Sequence, residues 1–238
     1  MSMILSDQCW LKETCKKYNN PKVNCECRSA NIYCEKLFSL NYLYKESLLS
    51  PHQYMPIRLY CSEQDPDVTQ FRTLATIEKD IVNFVQSGQN VYIHSVCCGN
   101  GKTSWAIKLL HAYLNKTWMN STLKCKTLFI NVPRFLLALK DNITNQSDYI
   151  DHIKQNVLSA DLVIWDEVAT KALSVYEHEH LLSLINTRLD CGKSNIYTSN
   201  LTLAEVQDKL GERLYSRITG MSVNIEFVGG DKRGAKRI

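Results

Sequence analysis

One stretch, Val91-Tyr-Ile-His-Ser-Val-Cys-Cys-Gly-Asn-Gly-Lys-Thr-Ser104, constrains this chain more than any other. A short apolar run passes into a turn bracketed by Gly99 and Gly101. Lys102, Thr103 and Ser104 follow, and then Trp105, Ile107, Leu109, Leu110 and Leu114 continue at amphipathic helical spacing. Strand, glycine turn, lysine and hydroxyl in that order build a cradle for a nucleotide triphosphate. Backbone N–H groups surround the phosphates, the lysine reaches the β- and γ-phosphates, and the hydroxyl joins the shell of a Mg²⁺ ion. The positive end of the following helix faces the same anion. The expected nucleotide-binding segment is therefore Cys98, Gly99, Asn100, Gly101, Lys102, Thr103 and Ser104. The pattern G-x-x-x-x-G-K-[ST] has a first glycine where this chain has Val96, a departure expected to alter nucleotide affinity or exchange. Cys97 and Cys98 beside it read as small apolar filler.

A second chemical signature lies roughly 60 residues downstream, where the apolar run Asp161-Leu-Val-Ile-Trp-Asp-Glu-Val168 ends in two adjacent carboxylates. At the carboxyl end of a buried strand beside the phosphate loop, Asp166 would hold Mg²⁺ through water and Glu167 would polarise the attacking water. Between the two, Thr127 to Val132 reads as another strand, with Pro133 opening a helix through Lys140. Asn195 to Asn200 reads as a fourth strand, ending in an amide that either touches the γ-phosphate or caps the helix from Leu201 onward. Upstream, Thr69 to Gln86 has helical apolar spacing that stops at Ser87-Gly88. Strands alternating with helices predict an α/β fold, a parallel sheet with helices on it. Arg213 and Arg217, four residues apart, share one helix face; they are either solvated or reach a neighbouring subunit's γ-phosphate.

Five of the ten cysteines, Cys9, Cys15, Cys25, Cys27 and Cys34, fall in the first 34 residues. Reduced thiolates gathered in a segment too short to build its own core predict a structural zinc, whose binding energy substitutes for hydrophobic burial. Four ligands close a tetrahedron. The expected set is Cys9, Cys15, Cys25 and Cys34, with Cys27 as the alternative, because residues one apart on an extended chain point oppositely. The expected organisation is a helical cysteine-rich head over residues 1–50, a proline-bearing linker over 51–68 and a body over 69–238. No run of 18 apolar residues occurs and the N-terminus has no basic, apolar leader, so a soluble cytoplasmic protein without a membrane partner is expected. A net charge of +4 suits nucleic-acid binding and an ordinary solvated surface equally.

The order GNGKT, LVIWDE, IYTSN, LGERLYSRI and FVGGDKR over roughly residues 70–238 resembles the AAA+ ATPases of the DnaC/DnaI type that load replicative helicases, a group related to the IstB-type ATPases. The cysteine-bearing head is similar to the zinc-binding docking heads of some loaders. The resemblance implies an ATPase using ATP and Mg²⁺, with Zn²⁺ in the head and no separate lid. Lys102 and Thr103 would contact phosphate and Mg²⁺, Asp166 and Glu167 form the Walker-B pair, and Asn200 acts as the first sensor. Arg217 would be the arginine finger and Arg233 the second sensor. Lys140, Ser174 and Tyr176 map to the central loops that hold single-stranded DNA, although Ile143 stands where an aromatic would stack on a base. The implied partners are a hexameric replicative helicase, single-stranded DNA and further copies of the chain. Two rivals share these motifs: an IstB-like transposition helper acting on double-stranded DNA, and a non-catalytic zinc adaptor that binds nucleotide structurally.

Overall fold

The computed structural model describes Cys9, residues 34–142 and residues 147–232. Its centre is a five-stranded, all-parallel sheet in the order β2-β3-β4-β1-β5, formed by β1 (Val91–His94), β2 (Thr127–Asn131), β3 (Leu162–Asp166), β4 (Ser194–Ser199) and β5 (Val223–Glu226). Successive strand residues point to opposite faces, and the sequence fills both faces with apolar side chains. Val91, Ile93, Leu162, Ile164, Ile196 and Ile225 join one core cluster; Tyr92, Leu128, Ile130, Val163, Trp165 and Tyr197 join the other.

The helices divide accordingly. On the first face lie α1 (Glu35–Glu46), α2 (Val68–Lys79), α3 (Ile81–Gln86) and α4 (Lys102–Thr117). On the second lie α5 (Val132–Asp141), α6 (Asp148–Asn156), α7 (Val175–Asp190) and α8 (Leu203–Thr219). The α/β reading of the sequence therefore holds.

Several local expectations change. The helix expected over 69–86 breaks at Asp80 (φ −111°, ψ 27°), with no glycine or proline to announce it, into α2 and α3. The Lys209–Ile218 helix is interrupted at Gly211 (φ 75°, ψ 159°), so Arg213 and Arg217 sit on the segment after the kink. β5 is short and pairs with β1 alone, with three of its four side chains not buried, so it carries no apolar run. Residues 35–49, assigned with the head on sequence, contribute Leu37, Leu40, Leu43, Tyr44 and Leu49 to the core shared by β1 and α4. Ile57, Leu59 and Cys61 of the expected linker pack on that core too. Among the described residues no helix is long and apolar enough to cross a membrane.

Candidate nucleotide site and basic edge

The expected nucleotide segment forms the turn between β1 and α4, at the carboxyl ends of the strands. Gly101 is the N-cap of α4 with φ 103°, a left-handed conformation that L side chains avoid, and Gly99 has φ 78°. Asn100 is fully buried and its amide donates to Ser95 Oγ at 2.6 Å, tying the crest of the loop to its root. The Lys102 ammonium donates to Cys97 O at 2.7 Å and Asn100 Oδ1 at 3.1 Å, so it lies inside the loop it would share with phosphate. Val96 is 63% exposed and has no left-handed backbone, so this position makes no demand for glycine. Cys97 is half-buried and Cys98 exposed, which corrects the apolar-filler reading: both line the loop rather than a core.

β3 delivers the carboxylates. Asp166 is buried, and one of its oxygens, Oδ1, accepts from Thr103 Oγ1 at 2.7 Å and Thr198 Oγ1 at 2.8 Å. Burial pushes its pKa up and these neutral hydroxyls only partly offset that. No ammonium or guanidinium pairs with it among the described residues. A buried carboxylate beside a threonine hydroxyl, both hard oxygen donors, is the set Mg²⁺ takes when it also binds phosphate. The fold brings Thr103 and Asp166, expected from sequence to hold Mg²⁺, into direct contact.

Glu167 turns out of the strand with φ 60°. Its N–H donates to Thr198 Oγ1 at 2.9 Å and its carboxylate accepts from Asn131 Nδ2 at 3.1 Å. Asn131 also caps α5 through Arg134 N. Asn131 and Thr198 were not read from the sequence; their positions at the ends of strands flanking β3 are the signal that marks them. Asn200 follows β4 directly, one of the two roles left open for it going to Thr202, which caps α8 in a capping box with Glu205.

A second cluster gathers around Glu177, which is 1% exposed. Its carboxylate accepts from Lys171 at 2.8 Å, from Ser174 N and Oγ at 2.8 Å each, and pairs with Lys140 at 3.3 Å. Burial would raise the Glu177 pKa, but the Lys171 ammonium, the Ser174 backbone and hydroxyl and the Lys140 ammonium outweigh it and hold it at about 2. Lys140 of α5 and Ser174 of the β3–α7 connection thus meet, although 34 residues apart. Ser174 is first the N-cap of α7. Tyr176, 42% exposed, stands edge-on to His180 with ring centroids 4.4 Å apart.

Arg213 and Arg217 are exposed and enter no ion pair among the described residues. Arg233, Ile143, Cys15, Cys25 and Cys27 lie outside the described residues. Cys34 is the N-cap of α1, and both it and Cys9 pack against the first core. No group of three or more metal-binding side chains occurs among the described residues.

A parallel sheet in this order, with a glycine-lysine-threonine loop after β1 and a carboxylate pair after β3, defines a P-loop ATPase of the AAA+ class. Residues 42–219 match the family model of the IstB-like ATP binding proteins, and the chain belongs to that family. It is therefore an IstB-related ATPase that binds ATP. No curated protein matches the chain. Among solved structures it is similar in fold to the DnaC helicase loader (24% identity, 69% of this chain and 93% of that one, TM-score 0.55). It is likewise similar to DnaI (19% identity, 73% and 88%, TM-score 0.52). AMPPCP-bound DnaA from Aquifex aeolicus shares the fold over 71% of this chain and 48% of its own, at 19% identity and TM-score 0.53.

Proposed function

We propose that this protein is a cytoplasmic, ATP-dependent loader of a hexameric replicative DNA helicase onto single-stranded DNA. The observation that carries the reading is the convergence of Lys140, Lys171 and Ser174 on Glu177 beside the exposed Tyr176. Ammonium groups held together next to an aromatic ring suit the phosphates and bases of a single strand. The fold shared with the DnaC helicase loader and DnaI supports the same reading.

In this scheme Lys102 binds phosphate, Thr103 and Asp166 hold Mg²⁺, Glu167 activates water and Asn200 reports on the γ-phosphate. Arg217 completes the site of a neighbouring copy, with Arg233 as a second sensor, so ATP favours an assembled spiral or ring and hydrolysis releases it. The cysteine-rich head docks on the helicase around a zinc held by Cys9, Cys15, Cys25 and Cys34, or with Cys27 in place of Cys25 or Cys34.

Native mass spectrometry of the protein with the replicative helicase of its host and ATP tests this. A helicase-hexamer complex that transfers helicase to single-stranded DNA and is lost on zinc chelation is expected. The family match favours a second reading, an IstB-like transposition helper. No helicase complex, with ATP-dependent binding to double-stranded rather than single-stranded DNA, would replace the first reading by the second.

A further inference from the structure

The segment after β5 does more than end the sheet. Phe227 N donates to His94 O, extending the β1–β5 register, and the chain then runs across the outer side of the nucleotide loop. Lys232 N donates to Gly99 O at 3.0 Å, and the Asn100 amide that holds Ser95 also reaches Gly229 O at 3.4 Å. Two of the loop's own residues are therefore bound from outside by residues 229–232.

That segment is itself held by the linker. Asp67 is fully buried, and its Oδ1 accepts from Val228 N at 2.7 Å and Gly229 N at 3.0 Å. A side chain at 229 would collide with Asp67 Oδ2, so anything larger than glycine would displace that carboxylate. The Lys232 ammonium pairs with Asp65 at 2.9 Å and Asp67 at 3.3 Å, and stands 4.5 Å from the centre of the Phe71 ring. Burial would raise the pKa of Asp65, yet the Lys232 hydrogen bond and the Asp67 N–H hold it below the usual carboxylate range. Leu59, farther up the linker, lies beside Gly101. Linker, terminal segment and nucleotide loop thus form one hydrogen-bonded unit. A loop of small and polar residues with an exposed Val96 gains from such support a rigidity that its own packing does not supply.

We propose that Asp65, Asp67 and Lys232 are positioning residues for the ATP site: they clasp the terminal segment to the linker and so hold Gly99 and Asn100 in the phosphate-accepting shape. The clasp acts before chemistry, so its loss weakens ATP binding and leaves the turnover of bound ATP unaltered.

The test is Lys232→Met, which keeps an unbranched apolar stem over Phe71 and removes the charge, with Lys232→Arg as the conservative variant. ATP affinity is read by titration with a fluorescent ATP analogue, kcat and KM by phosphate release, and folding by thermal melting. Lys232→Met is expected to weaken binding and raise KM about tenfold, the worth of one charge-assisted hydrogen bond, with kcat within about twofold. Lys232→Arg should restore most of the affinity. Wild-type affinity in a folded Lys232→Met protein overturns the proposal, as does a kcat loss without a KM change. Should Lys232→Met fail to fold, Asp65→Asn, at the more exposed end of the clasp, is judged by the same split.

Discussion

Two of the buried carboxylates, Asp166 and Glu177, answer opposite questions. Asp166, the last residue of β3, is served by the hydroxyls of Thr103 and Thr198, and burial raises its pKa. Glu177, in the first turn of α7, is served by two ammonium groups and its own cap, and its pKa falls to about 2. A carboxylate buried among neutral donors leaves negative charge uncompensated, so it attracts a cation that arrives with the substrate. One paired with lysines is complete, and its work is to place those lysines. Chemistry resides where compensation is missing, and architecture where it is supplied.

The largest effect that would break this contrast is on the nucleotide side. Lys102→Ala should weaken ATP binding more than about 100-fold, because two phosphate-directed, charge-assisted hydrogen bonds are lost. Titration with a fluorescent ATP analogue reads it, and wild-type affinity would remove the loop from its assigned role. Asp166→Asn should cut Mg²⁺-dependent turnover by about 100-fold or more while the nucleotide-free protein melts no lower than wild type. A marked drop in melting temperature would mean that Asp166, like Glu177, is mainly structural.

The opposite balance is expected at the second carboxylate. Glu177→Gln keeps the capping geometry but loses both ion pairs, and should destabilise the protein by about 1 kcal/mol at neutral pH. The pH dependence has a definite sign. A pKa lowered from the ordinary 4.5 to about 2 stabilises the fold above pH 4.5, and that stabilisation is lost as the pH falls from 4.5 towards 2. The gap between wild type and Glu177→Gln in denaturant midpoints should narrow over that window, and a constant gap would refute the assigned pairing. Smallest of all is Val96→Gly. The side chain is exposed and its backbone unstrained, so ATP affinity should change less than about threefold. A larger gain would mean that the missing glycine does limit the loop.

Much of the nucleotide side was legible because its groups are local in sequence. Gly99, Gly101, Lys102 and Thr103 fall within five residues, and Asp166 and Glu167 close an apolar strand. The lysine cluster was not legible as a unit: Lys140 belongs to α5, Lys171 to the β3–α7 connection and Glu177 to α7, and only the fold brings the Lys140 ammonium to Glu177. Asn131 and Thr198 were equally silent, since an asparagine and a threonine at strand ends carry no chemistry until β2 and β4 are laid on either side of β3.

By itself the sequence determined the α/β class, the nucleotide loop and the carboxylate pair, because hydrophobic period and short motifs are written in neighbouring residues. The strand order, the break at Asp80, the place of α1 in the core and the hold of Asp67 on residues 228 and 229 were decided by tertiary structure alone. Most of these depend on which surfaces distant in the chain come to meet, and the free energy of burying them together is a property of the assembled fold that no local window contains.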